Sequence, residues 1–160
     1  MASLVDTNVL VYRVDPRDPQ KQQVAVELLR EGLRADRLCI AHQSVLEFVA
    51  AVTRPRVDLG GAPLLDRPDA LLEAESLLAE FPVLYPNRET LRTAIRGAAT
   101  YGLQLFDAHL WACAEVNGLA EIISEDFQHG RHYGSVRVVN PFWVASGRVS
   151  ELPAMYAPVF

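Results

Sequence analysis

Lysine is almost missing from this 160-residue chain: Lys21 is the only one, and the other 14 of its 15 basic residues are arginine. Set against 20 Asp and Glu, they leave a formal net charge of -5. Bulk electrostatics therefore do not announce a nucleic-acid binder. Arginine's planar fork suits phosphate and base edges, but GC-rich coding is the simpler source of a general arginine bias. Cysteine is scarce too. Cys39 and Cys113 lie in a strand-like and a helix-like apolar stretch, and read as small core hydrophobes of a reducing compartment. No apolar run is long enough to span a bilayer, and the start carries no signal-peptide architecture. The expectation is a cytoplasmic protein without a membrane partner. A G-x-G-x-x-G dinucleotide site and a P-loop are both absent.

What is present alternates. Short β-rich runs are separated by amphipathic helical segments, the pattern of a mainly parallel sheet flanked by helices. A chain of this length forms one domain that buries about two-thirds of its unfolded surface. Strands are predicted at Ser3–Asp6, Leu38–Ala41, Val83–Tyr85, Glu121–Ser124 and Val136–Val139. Asp18-Pro19 opens a helix running to about Arg34. Further helices are expected from Ser44 to Thr53, from Asp69 to about Phe81, from Asn87 to Tyr101 and from about Leu105 to Asn117. The stretch from Arg54 to Asp69 is the least patterned and is a candidate mobile loop.

Four acids stand out on this frame: Asp6, Glu47, Asp107 and Asp126. Each is embedded in apolar sequence and falls at a strand end or in the opening turns of a helix. In an open α/β sheet, that is where ligands bind. Each acid also has a plainer reading. Ser44-Val45-Leu46-Glu47 fits a capping box, with the glutamate bonding the Ser44 amide. Asp107 suits a helix N-terminus, and Asp126 can open a turn. Asp6 is the hardest to explain away. Together the four would repel by roughly 4 kcal/mol per close pair at a surface-like dielectric. A pair of Mg2+ or Mn2+ ions, about 3.5–4 Å apart, would neutralise them and form a clamp for phosphodiester cleavage. Water attack would then leave a 5'-phosphate and a 3'-hydroxyl. A haloacid-dehalogenase-like phosphatase also uses an aspartate after strand one. It needs a second aspartate two residues later, where this chain has Asn8, and its lysine has no counterpart beyond Lys21.

The same residues resemble a known family. Leu4-Val5-Asp6-Thr7-Asn8-Val9-Leu10, Val45-Leu46-Glu47-Phe48, Tyr101-Gly102-Leu103 with Asp107-Ala108 and Ala112, Ile123 through Gly130, and Val139-Asn140-Pro141-Phe142 are similar, in order, to the blocks of a PIN domain. More narrowly they resemble the VapC-type ribonuclease toxins of toxin–antitoxin pairs. The resemblance implies a Rossmann-like α/β three-layer sandwich with a central mainly parallel sheet of about five strands. It implies a PIN domain over residues 1–142, Mg2+- or Mn2+-dependent endoribonuclease activity, homodimerisation and inhibition by a small cognate antitoxin. Asp6, Glu47, Asp107 and Asp126 match the family's acidic metal set, and Asn8 and Ser124 its supporting polar positions. Ser124 replaces the commoner threonine but keeps the hydroxyl. Gln104 stands where a serine or threonine often caps the Asp107 helix. The alternative is a non-catalytic PIN-like module that binds RNA or protein, although such relatives tend to lose acids.

Arg13, Arg54, Arg56, His129 and Arg131 are candidate RNA contacts, with a solvated surface as the competing reading. No histidine is required as general base when a metal lowers the pKa of water. Residues 143–160, with Trp143, Val144, Leu152, Met155, Tyr156, Val159 and Phe160, are too apolar for a solvated tail. They are expected to pack on the domain or on a partner.

Overall fold

The computed structural model describes residues 1–145. Six strands form one sheet in the order β3-β2-β1-β4-β6-β5: β1 (Ser3–Val5), β2 (Leu38–Ala41), β3 (Val83–Leu84), β4 (Glu121–Ile123), β5 (His132–Tyr133) and β6 (Val136–Val139). All neighbouring pairs are parallel except β5 with β6. The sheet therefore has one strand more than the five expected. β5 is two residues long and turns back on β6 through Gly134, whose φ is 57°, which is too short for any periodic signal.

Among the described residues, seven α-helices cover the sheet: α1 (Thr7–Val14), α2 (Pro19–Arg34), α3 (His42–Val52), α4 (Arg67–Glu80), α5 (Arg88–Tyr101), α6 (Leu105–Val116) and α7 (Pro141–Ala145). Their starts follow local chemistry. The Asp18 carboxylate accepts from the Lys21 amide ahead of Pro19, and Asn87 and Thr90 cap each other at α5, satisfying amides that the first helical turn leaves open. Two helices were not legible. The apolar run Val9–Tyr12 forms the middle of α1, and α7 spans five residues. The stretch after α3 is a hydrogen-bonded loop: Arg56 and Gly61 close it on themselves, and the Leu65 amide returns to the Val52 carbonyl.

Successive β1 side chains point to opposite faces. Val5 joins a core with Val9 and Leu10 of α1, Leu29 of α2, Phe48 of α3, Leu77 of α4 and Phe142 of α7. Leu4 joins the other, with Ala94 of α5, Trp111 of α6, Ile122 and Val138. This is the three-layer arrangement expected. Cys39 and Cys113 are unpaired in the second core, and burial pushes their thiols up to about 12 and about 11, so they are unreactive packing groups. Trp143, the described part of the apolar tail, stacks near His129 with ring centroids 5.4 Å apart. Residues 146–160 lie outside the described residues, and with them Leu152, Met155, Tyr156, Val159 and Phe160 of the expected apolar extension.

Helices α5 and α6 are drawn together at Gly97, where a Cβ would overlap the Trp111 ring. The ring is also anchored, since its indole N–H donates to the Tyr133 carbonyl at 2.8 Å. Gly97→Ala should therefore lower stability by about 1–3 kcal/mol through overpacking, despite alanine's better helix propensity. Thermal denaturation checks this; an unchanged or higher Tm would refute it.

Candidate active site

Strand order reverses between β1 and β4. From β1 the chain builds outward through β2 and β3, and after β4 it builds the opposite way. The crevice beyond the carboxyl ends of these two strands is the place where an open parallel sheet receives a ligand. Asp6 directly follows β1, and Ser124 directly follows β4. The loop after β4 supplies Asp126, the second turn of α3 Glu47, and the first turn of α6 Asp107. All four acids line one open cavity of about 440 Å3.

Asp6 is 6% exposed. One carboxylate oxygen accepts from the Thr7 amide at 2.6 Å, which also caps α1. The other accepts from the Ser124 hydroxyl at 2.6 Å and the Asn8 amide group at 3.0 Å. Ser124 is fully buried, and its oxygen further accepts from Asn8 at 3.1 Å and from the Asp126 backbone amide at 3.0 Å. Asn8 reaches the Asp126 carboxylate too, at 3.0 Å. Asn8 and Ser124 thus tie the end of β1 to the end of β4.

The capping box expected at Glu47 is not formed. Helix α3 begins two residues earlier than predicted, at His42 after Ala41, and no side chain caps it. Ser44 therefore sits inside the helix, buried, with no partner for its hydroxyl. Glu47 instead accepts from the Thr7 hydroxyl at 2.8 Å and from Gln43 at 2.7 Å. Gln43 in turn meets His109 Nδ1 at 2.6 Å. Asp107 stands in the first turn of α6, and burial and its acidic neighbours act on its carboxyl.

Electrostatics bind the four together. Burial, reinforced by the charges of Asp126 and Glu47, pushes the Asp6 carboxyl up to about 7, against the pull of Ser124 and Thr7. Burial and the same two neighbours raise Asp107. Asp6 and Asp107 are thus costly to ionise beside their acidic neighbours.

The basic candidates separate. Arg54 and Arg56 line the cavity, and so does Arg17, which sequence reading passed over. Arg13 does not line it. Its guanidinium meets Glu80 at 2.9 Å and Glu73 at 3.5 Å on α4, with the side chain only 17% exposed. The apolar face of α1 is buried against the core, which turns Arg13 toward α4 instead of the crevice. His129 and Arg131 are likewise outside the cavity lining. His129 Nδ1 accepts from the Asn140 amide at 2.9 Å, and Arg131 lies 4.5 Å over the Tyr133 ring. Glu125, the acid beside Asp126, accepts from Lys21 and from Tyr12, each at 2.6 Å. Asp15 is held below the usual carboxylate range by hydrogen bonds from Arg17, and Asp58 likewise. A signal for Arg17 existed in Asp15-Pro16-Arg17-Asp18, but the loop that brings Asp58 to it is remote in sequence.

A pH dependence follows for the metal-free protein. The folded Asp6 pKa lies above the ordinary value of 3.8, so the native state binds the proton more tightly. Stability from this group is complete below about pH 4 and is lost as pH rises through about 7. In EDTA the wild-type Tm should fall across that window, and Asp6→Asn, which keeps the cap, should flatten the fall. A wild-type profile flat from pH 4 to 7 would contradict it.

Comparison with known proteins agrees with this fold. In fold the chain is similar to a toxin–antitoxin complex from Klebsiella pneumoniae (18% identity, TM-score 0.60, covering 88% of this chain and 98% of that one). It is similar to DNA-bound VapBC from Salmonella typhimurium (15% identity, TM-score 0.61, 86% and 97%). It is also similar to VapC20 of Mycobacterium tuberculosis, a sarcin-ricin loop cleaving toxin (14% identity, TM-score 0.59, 85% and 99%). No curated protein matches it in sequence. The PIN domain model matches residues 3–134, a span that runs from β1 through the turn after β5 and takes in all four acids: the chain belongs to the PIN domain family.

Proposed function

We propose that this protein is a metal-dependent endoribonuclease, the toxin of a toxin–antitoxin pair, restrained by a small cognate antitoxin. The observation that carries the reading is the convergence of Asp6, Glu47, Asp107 and Asp126 on one cavity, with Asp6 buried and its carboxyl raised to about 7. A fold gains nothing from such crowding, and a cation relieves it.

The residues fit a hard cation. The four acids offer oxygen donors, which Mg2+ and Mn2+ prefer. Among the described residues, no three His, Cys, Asp or Glu side chains stand together as a group that could hold a metal ion. The reading therefore needs an ion bound as Mg2+ usually is, by one or two carboxylates together with waters and substrate phosphates. Asp6, Glu47, Asp107 and Asp126 would hold the ion, or a pair of ions. When bound, it would supply charge neutralisation and a more acidic water. The chain's own residues do the positioning. Ser124 and Asn8 fix the rotamers of Asp6 and Asp126, while Thr7 and Gln43 fix Glu47. None of the cavity-lining residues is a histidine, which is consistent with water attack that needs no imidazole base.

The fold neighbours and one surface support the partners. The neighbours include toxin–antitoxin assemblies, which supports an antitoxin partner here. Homodimerisation is supported by an apolar groove of about 300 Å3 between α3, α5 and α6, around which Leu46, Leu91, Leu105 and Phe106 are 51–71% exposed. Monomers rarely leave so contiguous an apolar surface open. No helix among the described residues is long and apolar enough to cross a membrane, and action in the cytoplasm fits that.

Wild type should cut an end-labelled structured RNA pool in Mg2+ or Mn2+ and not in excess EDTA. Asp107→Asn should lower the rate by at least about 100-fold, the scale of losing a preorganised electrostatic group. The same ions should raise the Tm of wild type more than that of the variant. Cutting that persists in EDTA would sink the proposal; a folded, antitoxin-free protein that cuts nothing would favour the non-catalytic module. Separately, light scattering should find wild type dimeric and Phe106→Asp monomeric, and a monomeric wild type would remove the dimer.

A further inference from the structure

Four carboxylates alone make a poor entrance for RNA, because a polyanion is held by cations that replace its counterions. The same cavity is also lined by Asp15, Arg17, Arg54 and Arg56. Arg17 is clamped rather than loose. Its Nε and one terminal nitrogen donate to the two oxygens of Asp15 at 2.8 and 2.6 Å, and the Asp15 side chain is 4% exposed. The remaining terminal nitrogen donates to Asp58 at 2.7 Å, and the Asp58 side chain is 60% exposed. Arg56 acts on both Asp15 and Asp58 through its charge. One of its terminal nitrogens donates to the Ala51 carbonyl at 3.1 Å, and its Nε is buried with no partner.

We propose that Arg17 and Arg56 form an anion seat in the cavity for a backbone phosphate of the RNA strand beside the cut, and that Asp58 occupies the outer edge of this seat in the free protein. The proposal rests on the nuclease reading of the four acids. The two anions that Arg17 meets are unequal. Asp15 is bidentate and dry, so it holds the fork in place. Asp58 is a solvated partner of the kind worth about 0–1 kcal/mol, so a phosphate oxygen can take its position. The two arginines and two aspartates balance in charge; releasing Asp58 leaves one net positive charge facing the strand. Asp58 stands in the loop 54–66, so the seat is assembled by two segments far apart in sequence.

The test uses a short single-stranded oligoribonucleotide of mixed sequence, its affinity measured over a salt series. The protein carries Asp107→Asn and is kept in EDTA, so that the RNA stays whole. Adding Asp58→Asn should tighten binding by about 3-fold, the release of one exposed competing pair. Adding Arg17→Gln should weaken binding by about 10-fold and reduce the salt slope by about 0.7, the value for one single-strand phosphate. With Arg17→Gln already present, Asp58→Asn should change nothing. Arg17→Lys, which keeps charge but loses the fork, should fall between. The seat is overturned if Asp58→Asn leaves affinity unchanged, if it tightens binding equally without Arg17, or if none of the proteins binds RNA. Because Asp58 is exposed, its variant keeps the fold even where Arg17→Gln does not, and thermal denaturation separates the two. Cutting by the otherwise wild-type chain in Mg2+ is read independently. Cutting with a silent Asp58→Asn removes the seat alone, whereas an Arg17-dependent gain in binding without any cutting removes the nuclease reading alone.

Discussion

Mutual repulsion among Asp6, Glu47, Asp107 and Asp126 is the constraint around which this molecule is arranged. Carboxylates brought to one cavity push one another apart, and the surrounding structure has to hold them there. The parallel sheet does so by ending β1 and β4 side by side, so that Asp6 and Ser124 leave neighbouring strands at the same level. Asn8 and Ser124 then close the gap with short hydrogen bonds to Asp6 and Asp126. Both helical acids ride on elements packed against the sheet from opposite sides: α3 through Phe48 and Val52, and α6 through Ala108 and Trp111. The two cores therefore set the width of the acidic crevice between them.

Charge of both signs is gathered at the cavity. The four acids and Arg17, Arg54 and Arg56 line the same enclosure. A net charge of -5 conceals this, because a sum over the surface says nothing about where a strand of RNA would lie. Other arginines serve the fold. Arg13 anchors α1 to α4, and Arg131 covers Tyr133. In a chain with one lysine, even Lys21 is committed: it reaches across to Glu125 and lies over the Tyr12 and Phe142 rings.

Much of this was legible before the structure, for physical reasons. Five strands were read because parallel strands buried on both faces appear as short apolar runs, and β2 and β6 match their predicted limits. Helix α2 announced itself through Asp18-Pro19 and its apolar stripe. Helix α1 did not, because Val9–Tyr12 is apolar on every side and equally suits a strand. The acids were legible as a set because each sat at an element boundary. The capping box at Glu47 misled, since Ser44-Val45-Leu46-Glu47 has the right letters one half-turn inside a helix that had already begun. The arginines were the least legible. Whether a guanidinium faces a crevice or an acid on the next helix depends on tertiary packing, and nothing in the spacing of Arg13 and Arg17 distinguishes them.

The capping role of Asp6 has an evolutionary corollary. Its carboxylate starts α1 as well as facing the cavity, and caps of this kind are worth about 1 kcal/mol. A descendant that lost catalysis would still be selected to keep an aspartate, or another capping residue, at that position for folding alone. Asp107 has a weaker second employment: it sits in the first turn of α6, where the helix dipole favours a carboxylate by well under about 1 kcal/mol, while burial and its acidic neighbours disfavour its charge. If the proposed activity were lost, drift should therefore erase Asp107 sooner than Asp6.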